Sequence, residues 1–207
     1  MKEGKQMKKR KTIFLSMGII LFLIIGIMVI NNNEGILFDE FILDIIHSNY
    51  SPLLFFIMKM ISFIGSAYFL VPAMFVAIAY TLVKKNYYTS KLLLLSTLGS
   101  YLMNLLLKII FKRGRPLEYF LVDQGGLSYP SGHSMVTMTF YMTLSYIISN
   151  RIENKDNKKF IYLFSYTMII LMGLSRLYLG VHWPTDVIGG YLIGYVFFNL
   201  SVILVRE

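Results

Sequence analysis

Long apolar runs, rather than strict alternation, dominate the hydrophobic pattern of this chain. Thr12 to Ile30 is an uncharged run of 19 residues, enough at about 1.5 Å per residue to cross a hydrocarbon layer about 30 Å thick. Further apolar segments run from Met60 to Val83, Leu92 to Phe111, Ser134 to Ser149, Phe160 to Ser175 and Val187 to Val205. Gly65 and Pro72 interrupt the first of these, and its crossing part is placed after Gly65. The pattern predicts an all-α, polytopic membrane bundle of six transmembrane helices. No small-residue cleavage site follows the first run at Asn31–Asn33, so that run reads as a retained anchor.

The stretch from Asn31 to Lys59 differs. Phe38, Phe41, Ile42, Ile45 and Ile46 recur at helical spacing, with Asp39, Glu40 and Asp44 assigned to the opposite, solvent side. This predicts one or two interfacial helices between the first and second spans. Residues 52–64 are alternatively part of a span, and a seventh crossing would invert everything downstream.

Composition narrows the class. Hydrophobic residues make up 56% and charged residues 15%, with a mean hydropathy of +0.62. A soluble domain carries about a quarter charged residues, so a soluble enzyme is excluded. There is no cysteine, which removes disulfides, thiolate catalysis and Cys-ligated metals.

The net charge of +9 flanks the apolar runs and so points to the bilayer rather than to nucleic acid. Residues 1–11, 84–91, 150–159 and the C-terminal tail hold fourteen of the twenty basic residues, all on one side if there are six spans. By the excess of Lys and Arg in cytoplasmic loops, both termini are cytoplasmic. Residues 1–11 are then a basic cytoplasmic N-terminus and 12–207 a single membrane domain. Lys59, Lys108, Lys112, Arg113, Arg115 and Arg176 remain. Five of these lie on or beside the two outer loops, 112–132 and 176–186, where the charge rule disfavours them. Charge held there is a candidate for function.

Three outer segments carry chemistry suited to an anionic group. Lys108 and Arg115, seven residues or nearly two helical turns apart, would share one helix face, with Pro116 stopping the span at the interface. Two cations so placed can clamp a phosphate; the alternative is snorkelling at a helix end. Pro130-Ser131-Gly132-His133 opens the fourth span, where backbone N–H groups form an anion site; the alternative is an ordinary N-cap. In Ser175-Arg176-x5-His182-x3-Asp186, Pro184 starts a helix and Asp186 lies in its first turn. There a carboxylate can orient an imidazole and leave its other nitrogen free; the alternative is a simple helix cap.

Taken together, these segments resemble the three signature motifs of the type 2 phosphatidic acid phosphatases, in order and with no motif position substituted. The likeness extends from about Gly65 to the C-terminus, and the compact form is similar to the bacterial phosphatidylglycerophosphate phosphatase B and undecaprenyl pyrophosphate phosphatase group. The resemblance implies a lipid phosphatase or pyrophosphatase of the plasma membrane with an extracytoplasmic site. His182 would be the nucleophile, Asp186 its orienting carboxylate and His133 the acid and then base. Lys108, Arg115, Arg176, Ser131 and Gly132 would bind the phosphate. No metal or other cofactor is expected. The implied partners are a membrane lipid phosphate and the bilayer, with no nucleic acid. Undecaprenyl diphosphate, released on the outer side during wall synthesis, is favoured, with phosphatidylglycerol phosphate or phosphatidic acid next. A non-hydrolytic lipid or anion transporter on the same scaffold is the alternative, and a structural or partner-binding membrane protein a further one. Tyr119, Phe120, Tyr129, Tyr178 and Trp183 read as an interfacial aromatic belt, and Gly190 and Gly194 as a close helix–helix contact.

Overall fold

The computed structural model describes residues 2–206; Met1, which opens the basic N-terminal segment, and Glu207 lie outside the described residues. Among the described residues every regular element is helical. The elements are α1 (Lys2–Val29), α2 (Leu37–His47), α3 (Pro52–Ile64), α4 (Ala67–Val83), α5 (Tyr87–Leu94), α6 (Ser100–Phe111), α7 (Gly132–Ser149), α8 (Lys155–Tyr178) and α9 (Pro184–Arg206). A π-turn, Leu95–Gly99, joins α5 to α6, and a single 3₁₀ turn, Leu117–Tyr119, lies in the long loop before α7.

Among the described residues five stretches are long and apolar enough to cross a membrane: Thr12–Val29, Pro52–Val83, Tyr87–Phe111, Lys155–Tyr178 and Pro184–Val205. The Ser134–Ser149 segment expected to cross forms most of α7, which falls outside this set. Its interior explains why. Ser134, Thr137, Thr139, Thr143, Ser145 and Ser149 are all buried in α7, which packs against α6, α8 and α9. A helix enclosed by protein can carry hydroxyls that a lipid-facing helix cannot: neighbours or its own carbonyls satisfy those of Ser134, Thr139, Ser145 and Ser149, while Thr137 and Thr143 are buried without a hydrogen-bond partner. Thr139 Oγ1 donates to Met135 O at 2.9 Å and meets Ser100 Oγ at 2.9 Å, and Ser145 meets Ser165 of α8.

Residues 52–64 form their own helix, α3, which Ser51 caps and Pro52 starts; Gly65 ends it and Ser66 precedes α4. α3 packs on α8, and α4 packs on α5.

The α7–α9 contact is the tightest in the bundle, and the two glycines expected at a close contact lie in it. A Cβ at Gly190 would approach Ser131 O to 2.8 Å, and one at Gly194 would approach Met135 O to 2.7 Å. These two positions hold the start of α7 directly against the start of α9.

Three of the five rings expected in an aromatic belt are buried instead, while Tyr119 and Phe120 are half-exposed. Tyr129 is 0%, Trp183 2% and Tyr178 6% exposed. Tyr129 stacks on Phe22, meets Phe111 edge-on and donates its hydroxyl to Phe22 O at 2.8 Å. Trp183 donates Nε1–H to Gly114 O at 3.1 Å and packs with Leu43, Leu177 and Val187. Tyr178 bonds its hydroxyl to the backbone of Ser51. Each polar tip has an internal partner, so the rings fill the core instead of straddling an interface.

Candidate functional site

The first segment reaches the site differently from the sequence expectation. α6 stops at Phe111, and Lys112 takes a left-handed conformation (φ 49°) as its cap. Pro116 therefore does not end the helix, and Lys108 and Arg115 do not share a helix face. Lys108 comes from the last turn of α6 and Arg115 from the loop beyond it. They converge because the carbonyls of residues 126–128 collect both cations. Lys108 Nζ donates to Leu127 O and, at 3.1 Å, to Ser128 O. Arg115 donates Nε–H to Gly126 O at 2.8 Å and Nη2–H to Leu127 O at 3.2 Å.

In the second segment Ser131 is the N-cap of α7, accepting from Ser134 N at 3.4 Å. Its own N–H donates to Asp186 O at 3.0 Å, which ties the start of α7 to the first turn of α9. Gly132 permits a close approach by α6, since a Cβ there would lie 2.9 Å from Asn104 Oδ1. His133 follows in the first turn.

The third segment leaves α8 at Tyr178 and turns at Gly180 (φ 69°), where any Cβ would strike the backbone of Tyr119. His182 then precedes Pro184, the first residue of α9. His182 Nδ1 lies 3.3 Å from Asp186 Oδ2 and 3.2 Å from Ser128 Oγ. Nε2 lies 3.3 Å from Arg115 Nη1. Arg115 can only donate, so the ring carries its proton on Nδ1 and keeps the Nε2 lone pair. Burial comes first in holding the imidazole well below its ordinary value, followed by the charges of Arg115, Lys108 and Arg176. Burial lowers the Arg115 guanidinium to about 10, so it remains charged at neutral pH.

Asp186 is fully buried and accepts on both oxygens. Oδ1 takes Arg113 Nη1–H at 2.8 Å; Oδ2 takes Trp183 N–H at 2.9 Å and the Ser128 hydroxyl. Arg113, 0% exposed, also donates Nη2–H to Asp39 Oδ2 at 2.6 Å. Asp39 is therefore not on the solvent side of α2, as its helical spacing suggested; it is 0% exposed and ion-paired inside the protein.

A cavity of about 500 Å³ opens beside these groups. Its lining brings together Lys108, Arg115, Gly132, His133 and His182 with the apolar side chains of Leu70, Val71, Met74 and Phe75 of α4 and of Leu98 and Leu105, and includes Thr97, Asn104 and Gln124. Three of the expected site residues stand behind this lining. Asp186 backs His182, and Ser131 is buried with its hydroxyl accepting from Ser134. Arg176, 2% exposed, donates to Ser62 Oγ and, at 3.0 Å, to Gln124 Oε1. Sequence reasoning missed Asp39, Arg113, Ser128 and Gln124. Only Arg113 left a signal, as a cation on the side where the charge rule disfavours it. Among the described residues no three His, Asp or Glu side chains gather as a metal site would require.

The chain is similar to known proteins over most of its length. The sequence model described as PAP2 superfamily matches residues 89–207. Phosphatidylglycerophosphatase B of Bacillus subtilis (strain 168) is 33% identical over 145 residues, covering 70% of this chain and 71% of that protein. An undecaprenyl-diphosphatase of Sulfolobus acidocaldarius is 27% identical over 192 residues, covering 89% and 87%. The crystal structure of a transmembrane PAP2-type phosphatidylglycerolphosphate phosphatase from Bacillus subtilis superposes with a TM-score of 0.84 at 30% identity, covering 92% of this chain and 94% of that one.

Proposed function

The chain belongs to the PAP2 superfamily, whose phosphatases hydrolyse lipid phosphates, and from that premise we propose that it removes the terminal phosphate of a membrane lipid through a phosphohistidine on His182. The observation that carries this reading is the cavity. Two cations, two histidines and a helix N-terminus share its lining with apolar side chains of α4 and α6. An anionic head on an apolar chain fits both.

In the proposed reaction, His182 Nε2 attacks phosphorus in line as the bond to the leaving oxygen breaks. Asp186 accepts a hydrogen bond from Nδ1–H, which keeps its proton, and the carboxylate stabilises the ring as it becomes positive. His133, on the cavity wall, gives its proton to the leaving oxygen. It then takes a proton from water, which attacks the phosphohistidine and releases inorganic phosphate. Lys108, Arg115 and the Gly132 N–H reach the phosphoryl oxygens directly. Arg176 adds positive potential from behind, and Ser131 holds the start of α7 in place. Positioning and charge stabilisation are most of what phosphoryl transfer asks of a protein.

Counting α7, the chain crosses six times, with both termini in the cytoplasm and the site at the outer face. The positions of the basic residues support this orientation. Undecaprenyl diphosphate and phosphatidylglycerol phosphate, the lipids matching the relatives' names, both present a terminal phosphate. An outward site favours undecaprenyl diphosphate.

The test is phosphate release by the purified protein in detergent with excess EDTA. Undecaprenyl diphosphate, phosphatidylglycerol phosphate and phosphatidic acid are offered side by side. EDTA-resistant release is expected, fastest from the prenyl diphosphate. His182→Ala should lower it by about a thousandfold or more. A wild type that releases nothing from any of the three would instead favour transport.

A further inference from the structure

We propose that Asp39 and Arg113, neither of which lines the cavity, are positioning residues for the His182–Asp186 pair: Arg113 locks Asp186 in place, and Asp39 balances Arg113 so that Asp186 faces His182 with its negative charge uncancelled. This rests on the phosphatase reading above. Asp39 enters from α2, distant in sequence from everything else at the site. Its Oδ1 accepts from Thr185 N–H at 2.9 Å, and its Oδ2 from Thr185 Oγ1 at 2.8 Å and Arg113 Nη2 at 2.6 Å. Arg113 Nη1 donates to Thr185 Oγ1 at 2.7 Å and to Asp186 Oδ1 at 2.8 Å. Its guanidinium lies over the Trp183 ring, 5.4 Å from the centroid.

The charge count carries the argument. Arg113 and Asp186 alone would be neutral overall, leaving nothing net to support positive charge on His182. With Asp39 the buried trio carries one net negative charge. Fixing α2 to the bundle does not require this arrangement, because well-packed apolar residues serve as well as buried ions or better. Only a guanidinium can bridge two carboxylates in this planar way.

The groups facing His182 make that charge count for more. Lys108 comes from α6, Arg115 from the loop after it, Arg176 from α8, His133 from α7 and Asp186 from α9. Both arginines are cations, Asp186 is the sole carboxylate among these groups, and Asp39 is what keeps its charge effective.

The test uses the full-length protein in detergent and follows phosphate release from undecaprenyl diphosphate against pH. His182 attacks only when unprotonated, so kcat/KM rises with pH along an acid limb. Asp39→Asn removes a negative charge, makes the imidazolium harder to hold and should move that limb to lower pH by about 0.5 unit. Its kcat should fall about tenfold or more with KM unchanged. Thr185→Val cuts the hydroxyl's bonds to Arg113 and Asp39 without altering charge, so it should lose rate but keep the wild-type limb. If Asp39→Asn does not fold, Arg113→Lys takes its place. A lysine serves one carboxylate only, and kcat should again fall without KM. Wild-type kcat with an unmoved limb in Asp39→Asn overturns the proposal. So does a loss that merely follows a lower melting temperature with the limb unmoved. A wild type that releases no phosphate defeats the phosphatase reading itself, whereas an active wild type with an unaffected variant defeats this inference alone.

Discussion

In the proposed mechanism His182 attacks phosphorus only as a neutral imidazole, and its surroundings favour that form. Burial and the facing cations hold it below its ordinary value near 6.5. The sign follows directly: acidification through pH 6.5 leaves the ring unprotonated, and protonation removes the nucleophile only further down. With the ionisations of the substrate and of the proton donor His133 divided out, the acid limb that His182 imposes on kcat/KM should therefore lie below pH 6.5. An acid limb at or above 6.5 in a full pH profile would contradict this assignment. At this scale the sequence was informative where a residue type names its own chemistry. His133, His182 and Asp186 stand out in an apolar chain because nothing in lipid needs them. Asp39 gave no such sign, since helical spacing on α2 marks one apolar face and cannot show that part of the polar face is also buried. Ser128 and Gln124 lie in an irregular loop with no periodicity to place them. Arg113 was visible as a charge on the disfavoured side, but its partners come from α2 and α9, which only the fold brings together.

Among the elements, α7 departs most from a pattern based on apolarity. Its hydroxyls make it too polar for the length-and-apolarity criterion, yet it is the helix the others enclose. The run of residues without charge coincides with most of this helix, while its contacts explain its composition. The expected Lys108–Arg115 helix face failed for a local reason: Lys112 caps α6 before Pro116 can matter. The α7–α9 contact is where packing meets the site, because Gly190 and Gly194 set how closely the Ser131–His133 turn approaches His182 and Asp186. Gly194→Ala would place a methyl 2.7 Å from Met135 O and 3.0 Å from Met138 Cβ. It should destabilise the protein by about 1–3 kcal/mol and lower phosphate release along with it. Gly125→Ala, with nothing within 4 Å of the added methyl, is the control and should leave the melting temperature unchanged. Equal melting temperatures for the two variants would show that the α7–α9 spacing tolerates more than its geometry suggests.

For the whole molecule, the bundle places a charged cluster at one end of helices whose outer faces are apolar, which suits a substrate that never leaves the membrane. The proposed sidedness rests on charge: with six crossings fourteen basic residues would gather on one side, and the segment after α1 carries Glu34, Asp39, Glu40 and Asp44 before any lysine. The chain has no cysteine, so a single introduced thiol reports its own side. Cysteine at Asp123, exposed in the loop before α7, should react with a membrane-impermeant reagent added to whole cells. Cysteine at Glu153, exposed before α8, should not. Reversed labelling would place the site in the cytoplasm and exclude a lipid presented on the outer face.

The covalent intermediate is the claim on which the mechanism stands. Undecaprenyl diphosphate labelled with ³²P in its terminal phosphate is mixed with purified protein, quenched in alkali within the first turnover, and the protein is counted. Phosphorus bound to a histidine nitrogen survives alkali and is lost in mild acid. The wild type should carry alkali-stable, acid-labile label, and His182→Ala should carry none. Label that persists in His182→Ala, or none on a wild type that is releasing phosphate, would contradict nucleophilic attack by His182.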